Sequence, residues 1–117
     1  MDPEELKRRT KKFALRVLNL ADKLPRSLKG KVLSDQIARA GTSAAANYRA
    51  ACKARSRAEF IAKIGVAEEE ADEVQFWLEL ICEGNLVPAG RVTELQEEAR
   101  ELTAIFAASR KSASRNK

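Results

Sequence analysis

Histidine is absent from this chain of 117 residues, and the two cysteines, three prolines, five glycines, one tyrosine and one tryptophan are few. Without histidine there is no imidazole base, no His ligand for zinc or haem, and no Ser-His or Cys-His nucleophile pair. Two cysteines alone form neither a structural zinc site nor a disulfide framework. The composition therefore argues against most hydrolase and metalloenzyme designs, and we expect a non-enzyme without metal or cofactor.

Long apolar segments are also missing. No apolar run approaches the roughly 20 residues that span a bilayer. The N-terminal residues lack the basic-then-apolar order of a signal peptide. We therefore expect a soluble, cytoplasmic protein with reduced thiols and no membrane partner.

Charge is distributed unevenly, although the formal net charge is only +5. Residues 1–57 contain 15 basic and 5 acidic residues (+10), residues 58–101 contain 3 and 12 (−9), and residues 102–117 contain 4 and 0 (+4). One interpretation is that basic and acidic helices lie side by side and neutralise each other. The other is that the basic half faces nucleic acid while the acidic half faces solvent or a neighbouring subunit.

Apolar residues recur at helical spacing in four segments. The third segment has the strongest pattern, because its apolar residues alternate steps of four and three without a break. These residues are Phe60, Ile64, Ala67, Ala71, Val74, Leu78 and Ile81. The pattern predicts helices over about 3–24, 28–54, 57–83 and 88–108. Short links and heptad-like spacing predict an all-α, antiparallel up-and-down four-helix bundle over residues 1–108, followed by a basic, disordered tail over 109–117.

The second predicted helix has an apolar face of small residues that also includes Asn47. Gly41-Thr42-Ser43 are three poor helix formers within this helix, and they mark either a kink or a tight contact with another helix. Asn47 is either a buried amide that fixes packing register or a residue at the rim of the core.

Four apolar residues do not fit the core face of a monomeric bundle: Leu15, Phe76, Trp77 and Leu80. On the third helix, Phe76 lies about 200° around the axis from Val74. A broad core face with scattered surface hydrophobes would explain these residues. Self-association into a closed symmetric ring or dimer would explain them as well, and makes them candidate interface residues.

Basic residues form two groups. Lys7, Arg8, Lys11 and Lys12 form a band at the start of the first helix, and Arg49, Lys53, Arg55 and Arg57 follow one another near the end of the second. In an antiparallel bundle these two groups meet at one end, and phosphate groups of RNA or DNA are the expected ligand. Tyr48 is the only aromatic residue beside this patch, so we expect little base stacking.

Acidic residues crowd the third helix between Glu68 and Glu73. Carboxylates in helical bundles ligate metal pairs together with Glu-x-x-His motifs, which this chain cannot supply. We therefore interpret them as solvated or paired with basic residues. Cys52 and Cys82 are interpreted as small core or boundary residues rather than reactive thiols.

A stretch of the second and third helices resembles a known family. It contains Gln36-Ile37-Ala38-Arg39-Ala40, then Ser43 and Asn47 four residues apart, then Arg55-Ser56-Arg57-Ala58-Glu59-Phe60. This order and spacing resemble the four-helix-bundle family of 23S rRNA intervening-sequence proteins. The motif positions are Gln36, Arg39, Ser43, Asn47, Arg57 and Phe60.

The resemblance implies a bundle that assembles into a homopentamer. Related accessory proteins of diversity-generating retroelements are basic pentamers that contact nucleic acid and a reverse transcriptase. We therefore expect a homo-oligomer that binds RNA, DNA or a ribonucleoprotein partner through the two basic groups together with Arg39. The alternative is a protein-interaction scaffold or an accessory subunit of a reverse-transcriptase-type enzyme, and a metal-binding bundle ranks below both.

Overall fold

Four helices account for most of residues 1–115, the part of the chain that the computed structural model describes. They are α1 (Pro3–Asp22), α2 (Leu28–Cys52), α3 (Arg57–Glu83) and α4 (Gly90–Arg115). The described residues contain no strand, which confirms the all-α prediction. None of the four helices is long and apolar enough to cross a membrane.

Polar side chains fix where three of the helices begin. Asp2, Ser27 and Ser56 each accept a hydrogen bond from the backbone N–H three residues later, at 2.9, 3.2 and 3.0 Å. At α3 the Glu59 carboxylate also accepts from the backbone N–H of Arg55, at 2.7 Å. These bonds satisfy backbone donors that have no partner within the helix.

A residue in the left-handed backbone conformation follows the end of α3. Asn85 has φ 57°, the backbone N–H of Leu86 donates to the carbonyl of Ile81 at 3.1 Å, and that of Asn85 donates to Cys82 at 3.0 Å. This is the Schellman pattern with asparagine in the position that glycine most often occupies. Gly84-Asn85 is therefore the stop between the third and fourth helices.

Each helix packs mainly against its neighbours in the sequence, and α4 closes the bundle by a looser contact with α1. α1 and α3 therefore lie diagonally across the bundle, as do α2 and α4. The molecule measures 49 × 20 × 20 Å. We call the end where α1 and α3 begin and α2 and α4 finish the lower end.

The core follows the predicted apolar faces with two corrections, the first being that Phe60 on α3 is only half-buried. All predicted α3 core residues from Ile64 to Ile81 are buried. On α2, however, Tyr48 is buried and Asn47 is only half-buried, so the tyrosine takes the core position next to Ala44 and Ala51. Its ring stacks on Phe106 of α4, with centroids 5.5 Å apart.

Gly41 marks a tight contact rather than a break. α2 is helical throughout the Gly41-Thr42-Ser43 run. A Cβ atom at Gly41 would lie 2.8 Å from Cγ1 and 2.9 Å from Cβ of Val17 on α1. The missing side chain therefore allows α1 to approach α2 closely.

The predicted tail begins too early. α4 continues through residues 109–115, which were expected to be disordered, and residues 116 and 117 lie outside the described part of the chain. Arg110 explains part of this extension, because its guanidinium binds both carboxylate oxygens of Glu68 on α3, at 2.6 and 3.3 Å. A basic, serine-rich composition does not reveal such a partner on another helix.

Gly41 and Gly65 offer a matched pair of substitutions. Alanine favours a helix by about 1 kcal/mol over glycine, but overpacking costs about 1–3 kcal/mol. We expect Gly41→Ala to lower the free energy of unfolding, whereas Gly65→Ala, whose Cβ would meet only Arg110 Cδ at 3.8 Å, should raise it. Urea unfolding of the two variants measures both effects, and equal stabilisation by both would contradict the tight contact.

Candidate nucleic-acid interface

A groove of about 480 Å³ lies between α1 and α2 towards the lower end. Five cationic side chains line it: Lys7, Arg8, Lys11, Arg49 and Lys53. The remaining lining residues are Glu4, Thr10, Ala45 and Ala46. The structure therefore brings together the two basic groups that the sequence placed on separate helices.

Helical spacing and small residues create this arrangement. Lys7 and Lys11 are four residues apart on α1, and Arg49 and Lys53 are four residues apart at the end of α2, so each pair shares a face. Ala45 and Ala46 project little from α2 and leave the floor open. The Thr10 hydroxyl is buried and donates to the Lys7 carbonyl at 3.0 Å.

Little of the groove's charge is neutralised. Glu4 is the only acidic residue in the lining, and its carboxylate pairs with the Lys7 ammonium at 2.9 Å. Within residues 1–115, Arg8, Lys11, Arg49 and Lys53 form no ion pair. Four cations therefore face solvent within one groove.

The other basic candidates lie outside the groove. Arg39 is on α2 and pairs with Asp35 at 2.9 Å, with both side chains exposed. Lys12 is exposed on α1, and Arg55 and Arg57 are exposed where α3 begins. These three residues share the lower half of the bundle with the groove but do not line it.

Tyr48 faces the core rather than the groove. Burial raises the pKa of its hydroxyl, and the neighbouring Cys52 thiol raises that pKa further. Since its ring stacks on Phe106, it offers no face to a nucleic-acid base. The interpretation of Tyr48 as an aromatic residue beside the basic patch was therefore wrong.

Two of the motif residues, Ser43 and Asn47, lie on a polar seam between α2 and α3, and none of the six motif residues lines the groove. The Asn47 side-chain amide donates to the Ser43 carbonyl at 2.9 Å and to the Ser43 hydroxyl at 3.1 Å. Burial raises the pKa of Glu70 on α3, while a hydrogen bond from Ser43 lowers it. Gln36 and Phe60 are half-buried, and Arg57 is exposed.

The candidate interface residues lie on opposite faces of the bundle. Leu15 on α1 is 56% exposed, and on α3 Phe76 is 50% and Leu80 38% exposed. Trp77 is half-buried, and its indole N–H donates to the Glu73 carboxylate at 3.0 Å. Phe76 packs edge-on against Trp77, with ring centroids 5.0 Å apart.

Leu18 extends the apolar patch on α1. It is exposed three residues after Leu15, so the two leucines share a face. The same helical periodicity that identified Leu15 could have identified Leu18.

One arginine joins the basic and acidic halves. Arg9 on α1 binds both carboxylate oxygens of Glu98 on α4 at 2.7 Å, and Glu101 at 2.8 Å. Hydrogen bonding to Glu98 raises the pKa of Arg9 above its ordinary value. Within the described chain, no other ion pair links residues 1–57 to residues 58–101, so most of the charge separation persists. The sequence could have separated Arg9 from the groove cations by its helical position, because at 100° per residue its side chain points away from that of Lys7.

The acidic residues between Glu68 and Glu73 point in different directions. Glu68 pairs with Arg110 on α4, Glu70 lies on the seam with α2, and Glu73 accepts from Trp77. Among residues 1–115, no three Cys, Asp or Glu side chains are grouped so that they could hold a metal ion.

Comparison with known proteins identifies a family and a related structure. The profile of the 23S rRNA-intervening sequence protein family matches residues 4–108. A solved structure of a protein of unknown function from the S23 ribosomal protein family of Bacteroides thetaiotaomicron VPI-5482 is 34% identical, with a TM-score of 0.87. The match covers 95% of this chain and 99% of that one. No curated protein matches the chain.

Glu70 allows a test of the α2–α3 seam. Because its folded-state pKa is raised, ionisation of Glu70 destabilises the native state as pH rises through that pKa. We expect Glu70→Gln to be more stable than the wild type at pH 7 and to lose this advantage at pH 3. Urea unfolding at both pH values measures the difference, with the exposed Glu79→Gln as control; the same advantage at both pH values would contradict the assignment.

Proposed function

The chain belongs to the 23S rRNA-intervening sequence protein family, and from this starting point we propose that it is a non-enzymatic, homo-oligomeric bundle that binds RNA or DNA, alone or in a ribonucleoprotein, through the α1–α2 groove. The observation that supports this proposal is a group of four cations that form no ion pair within residues 1–115: Arg8, Lys11, Arg49 and Lys53. Binding phosphates there would release condensed counterions and give a salt-dependent affinity.

The groove chemistry favours binding over catalysis. Its side chains are ammonium and guanidinium groups, methyl groups, one carboxylate already paired with Lys7, and one hydroxyl that donates to a backbone carbonyl. Covalent catalysis needs a nucleophile within hydrogen-bond reach of a base. The lining offers positive charge without such a pair.

Self-association is supported by the two opposite faces. Leu15 and Leu18 are exposed on α1, next to the basic groove, and Phe76 and Leu80 are exposed on α3, which carries acidic residues. Contact between the α1 face of one subunit and the α3 face of the next would pair apolar with apolar and basic with acidic residues. Such a head-to-tail contact closes into a ring when its rotation allows, and the family resemblance favours five subunits.

An aromatic pair on α3, exposed Phe76 and half-buried Trp77, favours a second candidate function. Phe76 and Trp77 belong to residue types enriched in protein interfaces, and their side chains contact each other on α3. The alternative to nucleic-acid binding is therefore a scaffold or accessory subunit of another protein, including a reverse-transcriptase-type enzyme.

Charge reversal in the groove tests nucleic-acid binding. We expect Lys11→Glu with Arg49→Glu to weaken binding of RNA and DNA at least tenfold at low salt, and to reduce the salt slope by about 0.9 per lost contact on a duplex. Fluorescence anisotropy measures both quantities. Lys29→Glu with Lys31→Glu, an equal charge change at the other end of α2, is the matched control. Absence of wild-type binding at low salt would reject nucleic-acid binding and leave the accessory-subunit alternative.

Mixing two interface variants tests the head-to-tail contact. We expect the wild type to have a mass several times 13.0 kDa in solution, and Leu15→Glu and Phe76→Glu each to be monomeric. Each variant keeps the face that the other has lost, so an equimolar mixture should form heterodimers. Light scattering measures these masses, with exposed Leu28→Glu as control. A monomeric wild type would reject the oligomer, and assembly of Leu15→Glu alone would reject the head-to-tail contact.

A further inference from the structure

We infer that the α1–α2 groove binds one phosphate backbone of a double helix, of RNA or of DNA, in preference to a single strand. This inference rests on the proposed function and specifies the form of nucleic acid. It depends on where the cations lie, on where the aromatic rings lie and on the width of the bundle.

The cations form two rows. Lys7 and Lys11 are separated by about 6 Å along α1, and Arg49 and Lys53 by the same distance along α2. Because the helices are adjacent and antiparallel, the rows lie side by side in one groove. A DNA duplex carries one negative charge per about 1.7 Å of its axis when both strands are counted, so each phosphate contact on it releases more condensed counterion than a contact on a single strand.

The groove has no aromatic side chain on which a base could stack. Proteins that bind single strands gain much of their affinity from aromatic side chains, about tenfold or more for each stacked base. None of the six aromatic side chains of this chain lines the groove.

The aromatic residues are occupied elsewhere. Phe13, Tyr48 and Phe106 are buried in the core. Phe60 lies at a separate cavity of the lower end, and Phe76 and Trp77 contact each other on α3, diagonally across from α1. A single strand in the groove would therefore gain no aromatic stacking, and its charge interaction is weaker per phosphate than that of a duplex.

The shape of the groove favours contact with the backbone rather than with base edges. The major groove of DNA is about 12 Å wide and admits one helix. Here the cations project from two adjacent helices of a bundle about 20 Å across, too wide to enter it. Among the described residues, no Asn or Gln side chain, the usual readers of adenine, lines the groove. Binding should therefore depend on duplex form and hardly on sequence.

A titration with matched oligonucleotides tests the inference. A labelled 24-base-pair duplex and each of its two unstructured strands are compared by anisotropy at equal phosphate concentration, once as RNA and once as DNA. We expect the duplex to bind at least about tenfold more tightly than either strand, with a log–log salt slope of about −3 to −4 for the four cations at each groove. Lys11→Glu with Arg49→Glu should lose duplex binding, while the Lys29→Glu and Lys31→Glu control keeps it.

The outcomes separate this inference from the proposed function. Preference for the RNA duplex, the DNA duplex or both supports the inference and identifies the duplex. Equal or tighter binding of single strands overturns the inference and leaves nucleic-acid binding intact. Failure of every oligonucleotide to bind at low salt overturns the proposed function itself.

Discussion

The close approach of α1 and α2 is the constraint on which the candidate interface depends. Gly41 leaves the space that Val17 fills, and Gly30 allows the connection to fold back, since a Cβ there would lie 1.6 Å from the Pro25 carbonyl oxygen. Both helices carry more basic than acidic residues, so bringing them together has an electrostatic cost. Burial of Val17, Ile37 and their neighbours stabilises the packing in spite of that cost. The same contact places Lys11 and Arg49 along one groove.

Few close ion pairs join the basic and acidic halves of the described chain. The sequence order puts the basic helices α1 and α2 on one side and the acidic α3 and the first part of α4 on the other, and Arg9 alone forms ion pairs between them in the described chain. Exposed ion pairs contribute at most about 1 kcal/mol each, so the fold loses little stability by leaving the remaining cations without partners. Those cations stay available for an external anion. The ion pairs therefore do not support the interpretation that basic and acidic helices neutralise each other extensively.

The helices were predictable from sequence more fully than the side-chain partners. The apolar repeat of α3 was sufficient to predict its buried face, because the buried residues recur at the helical period that is visible in the sequence. The predicted core residues from Ile64 to Ile81 are buried as expected. Asn47 and Tyr48 differ by one residue, or 100° around α2, and only the position of Phe106 on α4 decides which of them enters the core. The ion pairs of Arg110 and Arg9 could not be predicted from local spacing either, because their partners Glu68 and Glu98 are distant in the chain. The groove was predictable in part. Antiparallel packing predicted that the two basic groups would meet, but it did not predict that Arg55, Arg57 and Lys12 would lie outside the groove.

The residues that carry the family resemblance and the residues that line the groove have different physical roles. Ser43 and Asn47 bond to each other within α2, and Ser43 lies close enough to Glu70 on α3 to lower its pKa, which burial raises, so both residues belong to the α2–α3 seam. The groove is on the other side of α2, where Arg49 and Lys53 face α1. A residue exchange in the groove can therefore change the charge offered to a ligand without disturbing the seam. It follows that Ser43 and Asn47 of the family pattern contribute to helix packing, whereas the charge of the groove depends on side chains that the pattern does not include.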